Sequence, residues 1–186
     1  MKIKTKFIRI MILAVAAAGL FCGCSSPQKA GVNALEKGEY EEAKAQFEEL
    51  TKSGDKEEAA GGYRGLGMAC YEMEDYEGAL AAFVQAVDNG IQPSVQLYNL
   101  MGICAMQTGD YAAALSYIQS GLALTHTSDG EDKAGTELVK EMRYNEIVCY
   151  EQQADWESAR QKVTEYLEDY PDDETVQKEA EFLETR

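Results

Sequence analysis

The sequence predicts an all-α protein of about four helix–turn–helix repeats, closed by a capping helix at its C-terminus. Ala and Glu are the commonest residues, only three prolines occur, and β-branched runs are scarce, which favours helices over strands. One short motif recurs four times, at intervals of 35 to 45 residues. Apolar residues within the motif return at helical spacing, as in Tyr76, Ala79, Leu80, Phe83 and Val87.

Before the repeats, residues 1–23 are predicted to be an export signal. Four basic residues lie within the first nine positions, and an unbroken run of apolar or small residues follows from Ile10 to Phe21. A run of this length suits the core of a signal peptide and is too short for a stable membrane-spanning helix. The chain is therefore expected to be exported and cleaved.

The end of this signal resembles the bacterial lipobox, in which an apolar residue and two small residues precede a cysteine that becomes lipidated. The residues are Phe21-Cys22-Gly23-Cys24-Ser25, and Cys24 fits best because Gly23 directly precedes it. Phe21 stands where the family usually has Leu. The resemblance implies lipidation of Cys24 and anchoring outside the cytoplasm, at the cell membrane or at an outer membrane. The alternative is ordinary secretion with cleavage near Gly23.

The repeated motif places an aromatic residue, Tyr40, Tyr76, Tyr111 or Trp156, three positions before an alanine. Four positions beyond that alanine stands another apolar residue, and a glycine precedes the first three aromatics by nine positions. In the fourth copy Ile147 replaces the glycine. This pattern resembles the tetratricopeptide repeat (TPR), a pair of antiparallel helices of about 34 residues. The resemblance implies a right-handed superhelix in which glycine and alanine let the paired helices approach closely.

The spacing also sets the predicted boundaries along the chain. A short linker at 24–28 leads into a TPR domain at 29–186. The repeats are placed at 29–57, 58–93, 94–133 and 134–171, with a polar loop at 125–135 and a cap helix at 172–185. The first helices are expected near 28–37, 58–73, 94–107 and 134–153, and the second helices near 40–52, 76–89, 110–124 and 155–169.

The chain that follows the signal is strongly acidic. Removal of the signal's four basic residues from 17 leaves 13 Lys and Arg against 33 Asp and Glu. Binding to nucleic acid is excluded because it needs clustered Lys and Arg. Anionic lipid would also repel this chain, so the lipid on Cys24 would have to anchor it. The negative charge would keep the protein soluble or, as a functional alternative, would attract a basic partner.

No combination of residues suggests catalysis, a cofactor or a metal site. The sequence lacks a phosphate-binding glycine loop and a nucleophile motif, and its single histidine, His126, lies in the polar loop. Cys70, Cys104 and Cys149 are too widely spaced for a metal site or a disulfide framework, and are expected to be buried thiols. The protein is therefore predicted not to be an enzyme.

The TPR resemblance implies a concave groove, lined by the first helices, that holds a helix or an extended segment of a partner protein. The family's groove positions correspond to Arg64, Met68, Tyr71, Asn99, Ile103, Met106, Tyr144 and Val148. The same positions in the repeats also include Val32, Leu35, Glu72, Gln96, Gln107, Glu151 and Gln152, with Glu141 nearby. These residues suggest an adaptable apolar surface rather than a basic clamp for a terminal carboxylate.

The expected function is that of a membrane-anchored scaffold or adaptor for protein–protein interaction in the bacterial cell envelope. The alternative is an extracytoplasmic binding protein for a small ligand or a cell-wall glycan, on which tyrosine rings would stack. The chain contains eleven tyrosines, but most of them fall in repeat core positions or on helix surfaces. The scaffold is therefore the preferred hypothesis.

Overall fold

The computed structural model describes residues 26–125 and 135–186, and every regular element within these ranges is an α-helix. Each helix packs mainly against its neighbours in the chain, so that α1–α2, α3–α4, α5–α6 and α7–α8 form stacked pairs closed by α9. The predicted all-α fold of helix pairs with a capping helix is confirmed. The helices are α1 (Pro27–Lys37), α2 (Tyr40–Leu50), α3 (Lys56–Glu72), α4 (Tyr76–Asp88), α5 (Val95–Gln107), α6 (Tyr111–Thr125), α7 (Thr136–Gln152), α8 (Trp156–Asp169) and α9 (Glu174–Leu183).

The helices begin and end within two residues of their predicted positions, and side-chain capping explains several of the starts. Asp75 accepts a hydrogen bond of 3.0 Å from the Gly78 N–H at the start of α4. Asp110 and Asp155 do the same at the starts of α6 and α8, at 2.9 and 3.2 Å. An aspartate at this position satisfies a backbone N–H that the helix itself leaves unpaired.

Close approach of the two helices in a pair depends on glycine. A Cβ atom added at Gly31 would lie 2.8 Å from Cζ of Phe47, and one at Gly67 would lie 2.5 Å from the Phe83 ring. Phe47 also packs against the next pair, where a Cβ at Gly65 would lie 2.3 Å from its ring. The first two contacts confirm the close approach expected from the repeat, while Gly65 had no predicted role.

In the fourth pair the large and small residues are distributed differently. Gly102 of the third pair accommodates Ile118, and a Cβ there would lie 2.8 Å from the Ile118 Cγ1. In the fourth pair Ile147 replaces the glycine, and the facing residue is the smaller Val163. Both are buried. The volume missing from the second helix is therefore restored on the first, which keeps the interior close-packed.

The three cysteines of the described ranges are free and buried. Burial raises the pKa of both Cys104 and Cys149 to about 12. Burial also raises the pKa of Cys70. Their thiols therefore remain protonated and behave as small apolar groups, as the sequence predicted.

The cap helix α9 covers the interior of the last pair with two residues. Val176 and Leu183 are each 1% exposed and pack with Ile147 and Val163. Phe182 remains 41% exposed, and the Arg186 guanidinium lies 4.6 Å from the centre of its ring. The cap therefore closes the core through one narrow apolar face.

Several sequence predictions lie outside the described residues. These are the signal at 1–23, the lipidated Cys24, His126 and the central part of the polar loop. Thr125 is the last residue of α6, and Gly135 directly precedes α7. The division into signal, linker and repeat domain stays a prediction. Within 26–125 and 135–186, no helix combines the length and the apolar character needed to cross a bilayer.

Candidate functional site

The first helices of the pairs lie on the inner side of a curved stack. In the described part of the chain α1 contacts α3, and α5 contacts α7, whereas α3 with α5 and the successive second helices make no contact of that extent. At two of its three junctions the stack is therefore tighter on the side of the first helices, as expected if that side is concave. We call this surface the groove and define it by Arg64, Met68, Tyr71, Glu72, Ile103, Met106, Glu141, Tyr144, Val148 and Glu151.

A side-chain hydrogen bond joins two first helices in this groove, α5 and α7. Asn99 of α5 donates a hydrogen bond from Nδ2 to Oε1 of Glu141 on α7, at 3.3 Å. Glu141 is also close enough to Tyr71 of α3 to contribute to the raised pKa of its hydroxyl. The carboxylate of Glu141 is thus held between α5 and α7, and its charge reaches Tyr71 of α3.

The apolar residues predicted for the groove are half-buried. Met68 and Tyr71 pack against the core of the second and third pairs, and Met106 packs against the core of the third pair. Ile103 and Val148 are half-buried as well. Each of these side chains therefore packs partly in the interior and remains partly exposed at the surface, where a partner could contact it.

Arg64 and Asn99 occupy different environments, although both were predicted to contact a partner. Arg64 is exposed. Asn99 is only 5% exposed, and its Oδ1 has no hydrogen-bond partner among the described residues. A carboxylate can only accept a hydrogen bond, so the Asn99 amide group must face Glu141 with its nitrogen. Asn99 therefore holds the Glu141 carboxylate in position and is not itself part of the groove surface.

The two groove tyrosines have neutral hydroxyl groups. Tyr71 packs edge-to-face on Tyr76, with ring centres 5.8 Å apart, and burial raises its pKa to about 12. Burial raises the pKa of Tyr144 as well, and the carboxylates of Glu179 and Glu151 add to this rise. Both hydroxyls therefore remain protonated and able to donate hydrogen bonds.

The C-terminal end of the groove carries two interacting carboxyl groups, Glu151 of α7 and Glu179 of the cap helix. Burial, followed by the charge and hydrogen bonding of Glu179, raises the pKa of Glu151 to about 8. The buried Oε1 of Glu151 has no hydrogen-bond partner among the described residues. Two ionised carboxylates can only accept hydrogen bonds, whereas a protonated Glu151 has a donor. The sequence analysis did not include Glu179 because the repeat pattern ends before α9.

A second concave region lies between α6, α7 and α8 and encloses about 360 Å³. Its buried carboxylate, Glu146, accepts a hydrogen bond of 3.0 Å from Gln119 Nε2 and pairs with Lys162 at 3.6 Å. Arg143 of this region pairs with Asp169. These charges are matched within the protein, so the region is explained by packing between helices. The described residues also contain no cluster of side chains suited to a metal ion.

Comparison with known proteins agrees with this architecture. The sequence profile described as "Tetratricopeptide repeat" matches residues 29–92 and 71–129. Among solved structures, YrrB, described as a TPR protein with an unusual peptide-binding site, is 19% identical with a TM-score of 0.68. The alignment covers 84% of this chain and 74% of YrrB. A search of curated protein sequences gave no match.

Two further structures show the same fold. The structure described as the MamA RS-1 ArsTM double mutant is 15% identical with a TM-score of 0.67, covering 88% of this chain and 86% of that one. TTC0263, a thermophilic TPR protein of Thermus thermophilus, is 17% identical with a TM-score of 0.52, covering 86% and 80%. Because the repeat profile spans more than half of the sequence and the helix pairs stack as such repeats do, the chain belongs to the tetratricopeptide repeat family.

Proposed function

We propose that this protein is a non-enzymatic scaffold or adaptor that binds a segment of another protein in its groove. The observation that carries the proposal is the row of half-buried apolar side chains on three consecutive first helices, formed by Met68, Ile103, Met106 and Val148. Membership of the TPR family supports a protein-binding role, and the structurally similar YrrB is described as having a peptide-binding site.

The chemistry of this row suits a protein segment better than a small ligand. Methionine is flexible and polarizable, so it adapts to apolar side chains of different shapes. A groove that extends over several repeats matches the length of a helix or an extended segment. Tyr71 and Tyr144 are both packed partly into the core, which leaves little ring surface for stacking on a sugar.

We further propose that the scaffold acts outside the cytoplasm, held at a membrane by lipid on Cys24. This proposal is supported by the export signal and the lipobox resemblance at residues 21–24. A bacterial envelope protein of this kind would place its groove close to the membrane, because the predicted linker is short. Its partner would then be another protein of the envelope.

Replacement of Met106 by Glu tests the groove. Crosslinked affinity purification from native membranes is expected to recover an envelope protein with the wild type and to lose it with Met106→Glu, because a carboxylate would replace apolar contact area. Ala81→Glu is the matched control, since Ala81 is exposed on the second helix α4. Circular dichroism should show the same helical content in all three proteins.

Met106 also packs against the core, so Ile103→Glu is a second variant that replaces a half-buried groove residue. Loss of the partner with both groove variants, and retention with Ala81→Glu, would establish the groove as the binding surface. Equal recovery by all folded variants would rule it out as the working surface.

A further inference from the structure

The groove is acidic as well as apolar. Glu72 and Glu141 are exposed, and Glu151 is half-buried. The cap helix adds Glu179, which interacts with Glu151. Arg64 is the single cation of the defined groove surface. The apolar row is therefore accompanied by an excess of carboxylates, within a protein that is itself strongly acidic.

The central carboxylate is held in a defined position. The hydrogen bond from the buried Asn99 fixes one oxygen of Glu141. Glu141 shares a face of α7 with Tyr144 and Val148, because residues three and seven positions on return to the same side of a helix. A charge beside this apolar face is available to a partner, since Glu141 is itself exposed.

The carboxyl pair at the end of the groove favours the same kind of partner. Because the pKa of Glu151 is raised to about 8, the pair holds a proton near neutral pH and keeps a single negative charge, which an ammonium or guanidinium group would neutralise. An anionic segment would meet repulsion from the pair and from Glu141.

We infer that the groove binds a cationic apolar segment, with one Lys or Arg at Glu141 and a second at Glu151 and Glu179, on either side of apolar residues. This inference rests on the proposed protein-binding function. Glu141 and Glu151 lie ten residues apart on α7, which corresponds to about 15 Å. The two cations should therefore be separated by about ten residues in a helical segment or about five in an extended one.

Two short fluorescein-labelled peptides with an apolar middle serve as probes. One is helical with two Lys residues about ten positions apart, and one is extended with two Lys residues about five positions apart. Matched peptides carry Gln in place of Lys. Binding to the full-length protein in neutral detergent is followed by fluorescence anisotropy at low and high salt. At least one Lys peptide should bind about tenfold more tightly than its Gln counterpart at low salt, and salt should reduce this difference.

Isosteric variants distinguish the groove from the overall charge. Glu141→Gln and Glu179→Gln should each weaken binding of the Lys peptide severalfold and leave binding of the Gln peptide unchanged. Glu168→Gln removes the same charge from an exposed position on α8 and should have little effect. Circular dichroism confirms that each variant is folded.

Three outcomes would overturn the inference: no binding of either Lys peptide, equal binding of the Lys and Gln peptides, or equal weakening by Glu168→Gln. The Met106→Glu purification remains an independent test of the proposed function. If that experiment succeeds while the peptides show no preference for Lys, the protein-binding function stands and the cationic partner is rejected. Failure of the purification together with absence of peptide binding would reject both.

Discussion

The contact between Gly67 and Phe83 shows that the size of residue allowed at one position depends on the residue that faces it. A side chain at Gly67 would collide with the Phe83 ring, because an added Cβ would lie 2.5 Å from it. In the fourth pair the same two positions hold Ile147 and Val163, and both are buried. The requirement at each position is therefore the combined volume of the pair, so neither residue can be interpreted alone.

Glu151 makes stability dependent on pH at the scale of a residue. Its pKa rises from an ordinary 4.5 to about 8 because the group is buried next to Glu179, with Tyr144 also nearby. The folded state therefore holds this proton more tightly than the unfolded state. The resulting stabilisation is fully present below pH 4.5 and is lost as the pH rises through about 8.

Glu151→Gln should therefore make the protein more stable in alkali. The amide stays neutral and can donate a hydrogen bond to Glu179, so the free energy of unfolding at about pH 9 should rise by on the order of 1 kcal/mol. Urea denaturation at about pH 6 and 9 measures the effect. The wild type should lose stability between these pH values, and the variant should lose less. Glu168→Gln serves as the exposed control, and equal pH dependence in Glu151→Gln and wild type would contradict the assignment.

At the scale of the elements, each first helix is followed by a residue in the left-handed conformation. This residue is Gly38 (φ 75°), Glu74 (φ 61°), Gly109 (φ 83°) or Ala154 (φ 57°). Glycine adopts this conformation without steric cost, whereas a Cβ atom is crowded there. The second and fourth pairs therefore carry backbone strain at a turn that the first and third pairs form with glycine.

Ala154→Gly should stabilise the protein for this reason. Relief of strain at the turn between α7 and α8 should exceed the added entropy of the unfolded chain and raise the free energy of unfolding by about 0.5–1 kcal/mol. Ala81→Gly is the control, because glycine within the exposed face of α4 should lower stability by about 1 kcal/mol. Urea denaturation measures both variants. Destabilisation by Ala154→Gly would show that the turn is not strained.

At the scale of the whole molecule, two properties bear on function: the curvature of the helix stack and the net negative charge of the chain. The first helices α1 and α3, and likewise α5 and α7, are closer than any two successive second helices, which gathers their side chains on one side of the stack. The chain beyond the predicted signal carries 13 basic and 33 acidic residues. A surface of this charge is repelled by anionic lipid, so stable attachment to a membrane requires an anchor of another kind. The proposed anchor is the lipid on Cys24.

Cys24→Ser tests this anchor. Without the acceptor cysteine the protein should move from the membrane fraction to the soluble fraction after cell lysis, since the acidic repeats have little affinity for lipid. Immunoblotting of the two fractions measures the change, and mass spectrometry of the wild type should detect the acyl chains on Cys24. Cys70→Ser, which alters a buried thiol, is the control and should remain in the membrane fraction. Retention of Cys24→Ser with the membranes would reject the anchor.

The sequence alone determined the helix pairs, their ends and the burial of the cysteines. These features depend on helical periodicity, on capping aspartates such as Asp75 and on the pairing of a small residue on one helix with a large residue on the other. All three are patterns that can be read within a single repeat or from its recurrence along the chain. Only the tertiary structure decided that Asn99 is buried and positions Glu141, and that Glu179 joins Glu151 at the groove. Asn99 and Glu141 are 42 residues apart, and their contact depends on how one helix pair is rotated against the next. That rotation follows from packing of the whole stack, which the pattern within a single repeat does not specify.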